Sequence, residues 1–388
     1  MGNKTMTSTD PIDIETRLEP ELELFRTELR RYLASNWSPE KARRGLDQAA
    51  PCWTREGWRK ACADLGLSAI GIPAAYGGLG LSRHELGIAA GEMGRVLYAS
   101  PWLATAVMAV TAIDQVCQDA DKTDYFARIA EGDLVATLGG IEEAVRGDRA
   151  ALRLTSSSAD EAVIDGSLRG VLEAESADLI LLLVPSGDGA LQLCAIDAGA
   201  AGLEIAARRT FDATRRLDDL TLRSVSARIL GPVSEGALEA IWDAATLALS
   251  FEMLGAAQAG LEMSVEYLKL REQFGQKLAE FQALQHRAAD LLTKFICARS
   301  LAQDACTSTS GTAEARALIA SVKLLTNEAA RAIAAETIQF HGGIGFTWDH
   351  DAHLYFRRAR ASILTLGDDE FLADRISGAL GVSTQSAA

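Results

Sequence analysis

Several features common in proteins are missing from this 388-residue chain. Its longest uninterrupted apolar run, residues 179–184, falls far short of the ~20 residues that a membrane span needs. The six cysteines (Cys52, Cys62, Cys117, Cys194, Cys297 and Cys306) include no Cys-x-x-Cys pair, so they read as buried thiols, not as a disulfide framework or a zinc site. Basic clusters are lacking too. Lys and Arg number 38 against 53 Asp and Glu, a net charge of −15, which argues against a nucleic-acid partner but leaves room for a phosphate-bearing small molecule. The first fifteen residues are polar and acidic, with neither the apolar core of a secretory signal nor the Arg-rich character of a transit peptide, and a cytoplasmic location is expected. No Gly-x-Gly-x-x-Gly follows a strand pattern, so no dinucleotide fingerprint is present.

What is present divides into three parts. At 388 residues more than one domain is expected. From Pro20 onward Leu22, Phe25, Leu29 and Leu33 recur at helical spacing. The Gly-rich stretch at residues 71–80 breaks this pattern, and Ser82 followed by Glu85 reads as a capping box that opens the next helix. Between about Asp133 and Leu230, short apolar runs at 162–164, 179–184, 191–196 and 220–222 are separated by Gly, Asp and Pro, the pattern of a small antiparallel β domain. After Gly231-Pro232 helical stripes return: Leu254, Ala257, Leu261, Val265, Leu268; then Leu284, Ala288, Leu291, Phe295; then Leu318, Val322, Leu325, Ala329, Ile333. The expected fold is α+β and mainly α. It comprises an N-terminal helical domain (1–130), a central small antiparallel β domain (131–230) and a C-terminal four-helix bundle (231–388).

Two constellations in the bundle suit ligand chemistry. In the first, a long apolar helix ends at Arg271, Phe274 and Gly275, and another begins near Phe281 and Gln282. Arg271 offers a planar, permanently charged fork suited to a pyrophosphate, and Gly275 suits a left-handed helix cap. The same residues also fit a structural role, with Arg271 facing the helix dipole and Phe281 in the core. In the second, Gln339, Phe340, His341, Gly342, Gly343 and Gly345 stop a long helix at a turn where backbone N–H groups can approach a ligand. A plain helix stop fits as well. His341, His350 and His353, with Asp349 and Asp351, match no tetrahedral zinc spacing, and no metal is expected.

Together these motifs resemble the acyl-CoA dehydrogenase family, whose bundle carries Arg-x-x-Phe-Gly, then Phe-Gln-x-x-Gln-His, then Gln-x-x-Gly-Gly-x-Gly about 60 residues later. Residues 65–81 resemble the family's early loop, and the likeness runs from about residue 20 to about 380. The resemblance implies FAD bound by Arg271, Phe274, Gln282 and the segment Gln339, Phe340, His341, Gly342 and Gly343. It also implies an oligomer, commonly a tetramer, because that segment often lines a neighbouring subunit's site. The implied reaction removes a C2 proton and a C3 hydride from an acyl-CoA substrate, with an electron-transfer flavoprotein re-oxidising the cofactor.

The pattern also fails at telling places. Many members carry their catalytic carboxylate where this chain has Leu366, and others where it has Ala245. Abstraction of a weakly acidic C2 proton needs a positioned base. Glu252 lies two helical turns after Ala245 in an apolar stretch, so partial desolvation would raise its pKa toward that of a working base; a paired or solvated Glu is the alternative. Asp368 and Asp369 lie just past the base position. The flavin-facing β segments are replaced by residues 137–148 and 170–178. An intact bundle beside an eroded β half resembles a bacterial subgroup that includes two-gene α2β2 enzymes acting on steroid side chains. The chain is therefore expected to be an FAD-dependent acyl-CoA dehydrogenase-like subunit of a homo- or hetero-tetramer. The alternatives are a non-catalytic partner that completes another subunit's flavin site, or a flavin oxidase relative.

Overall fold

The computed structural model describes residues 18–44, 52–148, 150–158, 160–187, 189–309 and 311–382. In the N-terminal part, α1 (Pro20–Asn36) starts on proline and buries Leu29 and Leu33. The short α2 (Pro39–Arg44) and α3 (Arg55–Leu65) follow. The Thr54 hydroxyl accepts from the Gly57 N–H at the start of α3, and Gly66 ends it at φ +61°. The glycine-rich stretch holds one 3₁₀ turn, Ala74–Tyr76. Then comes the expected capping box: the Ser82 hydroxyl accepts from His84 N at 3.1 Å and Glu85 accepts from Ser82 N at 2.9 Å. It opens α4 (Arg83–Arg95). A fully buried π-helical run, Leu103–Ala109, leads into α5 (Val110–Val116), and α6 (Asp119–Ala130) completes this part.

The central part comprises β1 (Ala136–Gly139), α7 (Ile141–Arg146), β2 (Leu152–Ser157), β3 (Glu161–Leu172), β4 (Leu179–Pro185), β5 (Leu191–Asp197), β6 (Leu203–Ala207) and β7 (Leu217–Val233). The sheet runs β1-β4-β5-β7-β3-β2, with β6 also paired to β7. It is antiparallel as expected except at one edge, where β1 pairs in parallel with β4 in the register Ala136↔Leu179. β7 also passes through Gly231-Pro232 and ends at Val233, because its ladder partner β5 holds Gly231 opposite Leu193 and Pro232 opposite Gln192. The Arg55 guanidinium grips the Asp178 carboxylate at 2.5 and 2.9 Å, joining α3 to the start of β4.

The bundle follows as α8 (Glu235–Leu270), a two-residue hairpin of β8 (Glu272–Gln273) and β9 (Gln276–Lys277), α9 (Gln282–Ala305), α10 (Ala313–His341), α11 (Ala352–Leu364) and α12 (Asp369–Ala379). α8 is long and apolar enough by composition to cross a membrane, yet most of its apolar window is buried inside the fold. It is sandwiched between α10 and α4. Its crossing with α4 is close: a Cβ at Gly255 would lie 1.9 Å from Gly91 O, and one at Gly94 would lie 2.0 Å from Glu252 O.

Three expectations need revision. Gly275 caps no helix. With Phe274 at φ +56° and Gly275 at φ +81°, the pair turns the β8–β9 hairpin, whose tight loop demands positive φ at both central residues. Leu325, placed in the buried stripe of α10, is 37% exposed, while Lys323, Thr326 and Asn327 are buried in its stead. Of the cysteines, Cys297 is exposed and Cys52 half-buried; only the other four are buried.

Candidate functional site

The two bundle constellations converge on one cavity of about 480 Å³, within the usual range of small-molecule sites, roughly 300–1,000 Å³. Its lining includes Arg271, Gln339, Phe340, His341, Gly342 and Gly343. α8 delivers Arg271 by ending one residue earlier, so that Arg271 is extended at φ −79°, ψ 127°. Its guanidinium has no carboxylate partner among the described residues. α10 delivers the rest. It stops at Gly342, whose φ +59° and ψ −139° only glycine adopts readily. A Cβ at Gly342 or Gly343 would meet nothing within 4 Å, so the backbone faces open space. Burial lowers the pKa of the His341 ring, whose Nδ1 lies 2.7 Å from Thr337 O. The ring packs against Tyr267 at 4.5 Å and His350 at 4.4 Å. Phe274 and Gln282 are exposed and do not line this cavity; Phe274, 90% exposed, meets Phe281 edge-on at 6.2 Å.

This set fits the diphosphate portion of FAD. A permanent cation with no internal partner stands beside a glycine turn with open backbone, which is the donor set that a pyrophosphate requires. Among the described residues, no group of three or more His, Cys, Asp or Glu is arranged to hold a metal.

Glu252 is half-buried beside two arginines. Its Oε1 accepts from Arg215 and, at 2.5 Å, from Arg358 Nη1. Arg358 Nε also meets Asp212 Oδ2 at 2.7 Å and donates to Thr214 Oγ1 at 3.0 Å, while Arg215 Nη1 donates to Ser362 Oγ at 3.0 Å. Desolvation opposes the charge of the buried Arg358, but Asp212 and then Glu252 more than offset it and hold its pKa above the ordinary value. Two carboxylates thus neutralise two buried guanidiniums, as buried charges require. The space that Glu252 lines is only about 20 Å³, room for roughly one water and far too little for an acyl chain. Of the two settings expected for Glu252, a desolvated base or a paired carboxylate, the structure shows the paired one, a counter-ion.

Ala245 and Leu366, the two positions where the resemblance implies a base, are buried apolar residues at 0% and 1% exposure. Asp368 caps α12 by accepting from Phe371 N, and Asp369 is held by Asn327 at 2.9 Å and Arg331 at 2.6 Å.

A second cavity, about 590 Å³, lies between the sheet and α11. Met108, Leu138, Leu172 and Phe356 supply apolar lining, Arg169, Arg209 and Arg360 supply charge, and Glu142 of α7 lies on its wall, bonded to the Leu366 N–H. In the sequence Glu142 falls within residues 137–148, one of the replaced flavin-facing segments. No local pattern marks it, because the hydrogen bond that places it spans 224 residues.

Comparison with known proteins identifies the family. Residues 19–133 match the family model described as acyl-CoA dehydrogenase, N-terminal domain, and residues 241–381 match acyl-CoA dehydrogenase, C-terminal domain. The acyl-CoA dehydrogenase IpdE2 of Mycobacterium tuberculosis is 32% identical over 305 residues, covering 79% of this chain and 80% of that protein. Among solved structures, a variant of the Tcur3481–Tcur3483 steroid ACAD superposes with a TM-score of 0.83 at 27% identity, covering 93% of this chain and 98% of the other. The ChsE4–ChsE5 complex of Mycobacterium tuberculosis shares the fold with a TM-score of 0.84 at 24% identity over 96% of this chain and 100% of that one. The chain belongs to the acyl-CoA dehydrogenase family.

Proposed function

We propose that this chain is a subunit of an FAD-dependent dehydrogenase that introduces a C2–C3 double bond into an acyl-CoA thioester. The observation that carries the reading is the convergence of Arg271 with the Gly342–Gly343 turn on one open cavity. Arg271 would pair with the diphosphate, and the backbone N–H groups of the turn would complete its anion shell. FAD, when bound, supplies the acceptor for the C3 hydride. The larger cavity between sheet and α11 would take the thioester, its apolar wall holding the acyl chain and its arginines drawing in the negatively charged coenzyme.

No residue lines both cavities, so one protomer presents the diphosphate-binding surface apart from the acyl-binding one. That favours a site completed by a second chain. So does the apolar surface around the first cavity: Phe274, Ile344, Phe346 and Trp348 are 90%, 48%, 79% and 61% exposed, a patch of the kind that marks an interface. The likeness to a Tcur3481–Tcur3483 steroid ACAD favours a partner chain of the same fold and a steroid-derived acyl group, with an electron-transfer flavoprotein as electron acceptor. The test is direct. The purified assembly is expected to show oxidised-flavin absorbance and to reduce an artificial acceptor dye only when acyl-CoA is added. A colourless protein, whether expressed alone or with its genomic neighbours, contradicts the reading. Re-oxidation by air with formation of peroxide would reassign it as an oxidase.

A further inference from the structure

We infer that Glu142, held by the Leu366 N–H on the wall of the cavity between sheet and bundle, is the carboxylate that removes the C2 proton of the thioester. This rests on the dehydrogenation reading and deepens it.

The reaction needs a carboxylate that is positioned, has a free oxygen and can touch substrate. Glu142 meets each requirement. One oxygen, Oε1, accepts from Leu366 N at 2.8 Å, which fixes the side chain against the turn between α11 and α12. The other oxygen makes no hydrogen bond or ion pair among the described residues, leaving it available for a proton. The turn itself is unusual. Leu366 lies at φ +59° and Gly367 at φ +114°, and the Leu366 side chain is packed into the core, so the backbone rather than the side chain of that residue faces the cavity. The cavity, about 590 Å³, is apolar along Met108, Leu138, Leu172 and Phe356 and has room for an acyl chain. Arg169, Arg209 and Arg360 line it as exposed residues without carboxylate partners among the described residues, which suits the phosphates of coenzyme A.

The surroundings also tune the group. Burial raises the pKa of Glu142 against the opposing pull of the Leu366 N–H, Arg146 on its own helix and Lys323 on α10, while Glu143 beside it adds to the rise. A carboxylate that binds its proton more firmly is a better match for a weakly acidic C–H bond. Glu252 is less suited, since Arg215 and Arg358 both pair with its Oε1 and the space it lines is about 20 Å³, against about 590 Å³ beside Glu142.

In the step itself the C2–H bond breaks and its proton passes to the free oxygen of Glu142. The bonding pair becomes the C2–C3 π bond as the C3 hydride leaves for the oxidised flavin. With 3-thiaoctanoyl-CoA, where sulfur replaces C3 and no hydride can leave, only the proton moves. The test therefore reads that transfer alone, in the flavin-loaded assembly in D2O without oxygen. Deuterium entering C2 of octanoyl-CoA, of a steroid-side-chain thioester and of the thia analogue is followed by mass spectrometry. The infrared band of a deuterated carboxyl that forms on binding the analogue is followed in parallel.

Wild type is expected to exchange C2 and to show the band. Glu142→Gln is expected to lose the band and about 100-fold or more of the exchange rate, with its flavin content retained. Exchange within about tenfold of wild type in Glu142→Gln, or loss in Glu252→Gln alone, overturns the assignment while leaving the dehydrogenation reading in place. Should the Gln variant fail to fold, Glu142→Asp decides. A slower exchange with a displaced pH midpoint supports the role, and an unchanged rate and midpoint overturn it. Absence of exchange by wild type on all three thioesters overturns the dehydrogenation reading and this assignment with it.

Discussion

Two buried ionisable side chains give opposite pH dependences of stability. Glu173 is 4% exposed and sits at φ +56°, where it accepts from Trp53 Nε1 at 2.9 Å. Burial pushes its carboxyl up to about 7, whereas in the unfolded chain it ionises near ~4.3. Across that window the folded state holds the extra proton, so the contribution to stability is whole at low pH and is lost as pH rises through about 7. Glu173→Gln keeps the shape and removes the titration. Denaturant unfolding is expected to show that the variant gains about 2–4 kcal/mol on wild type between pH ~4.5 and ~8.

Lys323 works the other way. It is fully buried, and its ammonium donates to Asn327 Oδ1 at 2.6 Å and Ser362 O at 3.1 Å at the end of α11. Burial drives its pKa down to about 7 against the pull of Glu142 and Asp369. The unfolded chain keeps that proton up to ~10.4. The unfolded state thus binds more protons between these values, and stability rises with pH across the interval. In Lys323→Met this rise is expected to vanish, read as a flatter unfolding midpoint between pH ~7 and ~9.5, with lower stability overall because the Asn327 and Ser362 acceptors lose their donor. Neither group was visible in the sequence. Lys323 looks like any helix-surface lysine until α11 is laid over it, and Glu173 like any turn residue until Trp53 reaches it from across the fold.

Elements were far more legible than side-chain partnerships. The helices of the N-terminal part and the bundle announce themselves by apolar residues three and four apart, and the capping box at Ser82 and Glu85 by its spacing. Strands β3, β4, β5 and β7 were bracketed by their Gly, Asp and Pro turns, whereas β1, β2 and β6 lay outside the apolar runs so marked. What failed was tertiary: a proline tolerated within β7 because of how its partner is placed, a hairpin where a cap was expected, and a stripe on α10 displaced by a buried lysine. The α4–α8 crossing belongs to the same class. No pattern in α8 alone says that Gly255 touches Gly91, yet the approach leaves no room for a methyl group. Gly255→Ala is expected to cost about 1–3 kcal/mol or more through overpacking, seen as a fall in Tm. Gly378→Ala, in α12 where a Cβ meets nothing within 4 Å, is expected to stabilise by about 0.5–1 kcal/mol through helix propensity.

At the scale of the whole molecule, two cavities stand apart. The one beside Arg271 and the one beside Glu142 have no lining residue in common among the described residues. α9 buries only Leu291, Phe295, Ala298, Ala302 and Ala305 of its 24 residues, and large aromatic side chains stand exposed around the glycine turn. Family membership was legible from the bundle motifs. The separation of the two cavities was not, because their walls are assembled from elements far apart in the chain. If Arg271 holds the diphosphate, Arg271→Ala removes a charge-assisted contact of about 1.5–3 kcal/mol and is expected to weaken flavin retention by roughly 10–100-fold, measured by dialysis and fluorescence of the released flavin.

The proposal that this chain shares a flavin site with a second chain is tested most directly by size-exclusion chromatography with flavin absorbance and protein mass recorded across each peak. The expected result is flavin only in species of two or more chains, with loss of flavin when they are dissociated. A monomer carrying one flavin per chain, or a stable assembly carrying none, would contradict it.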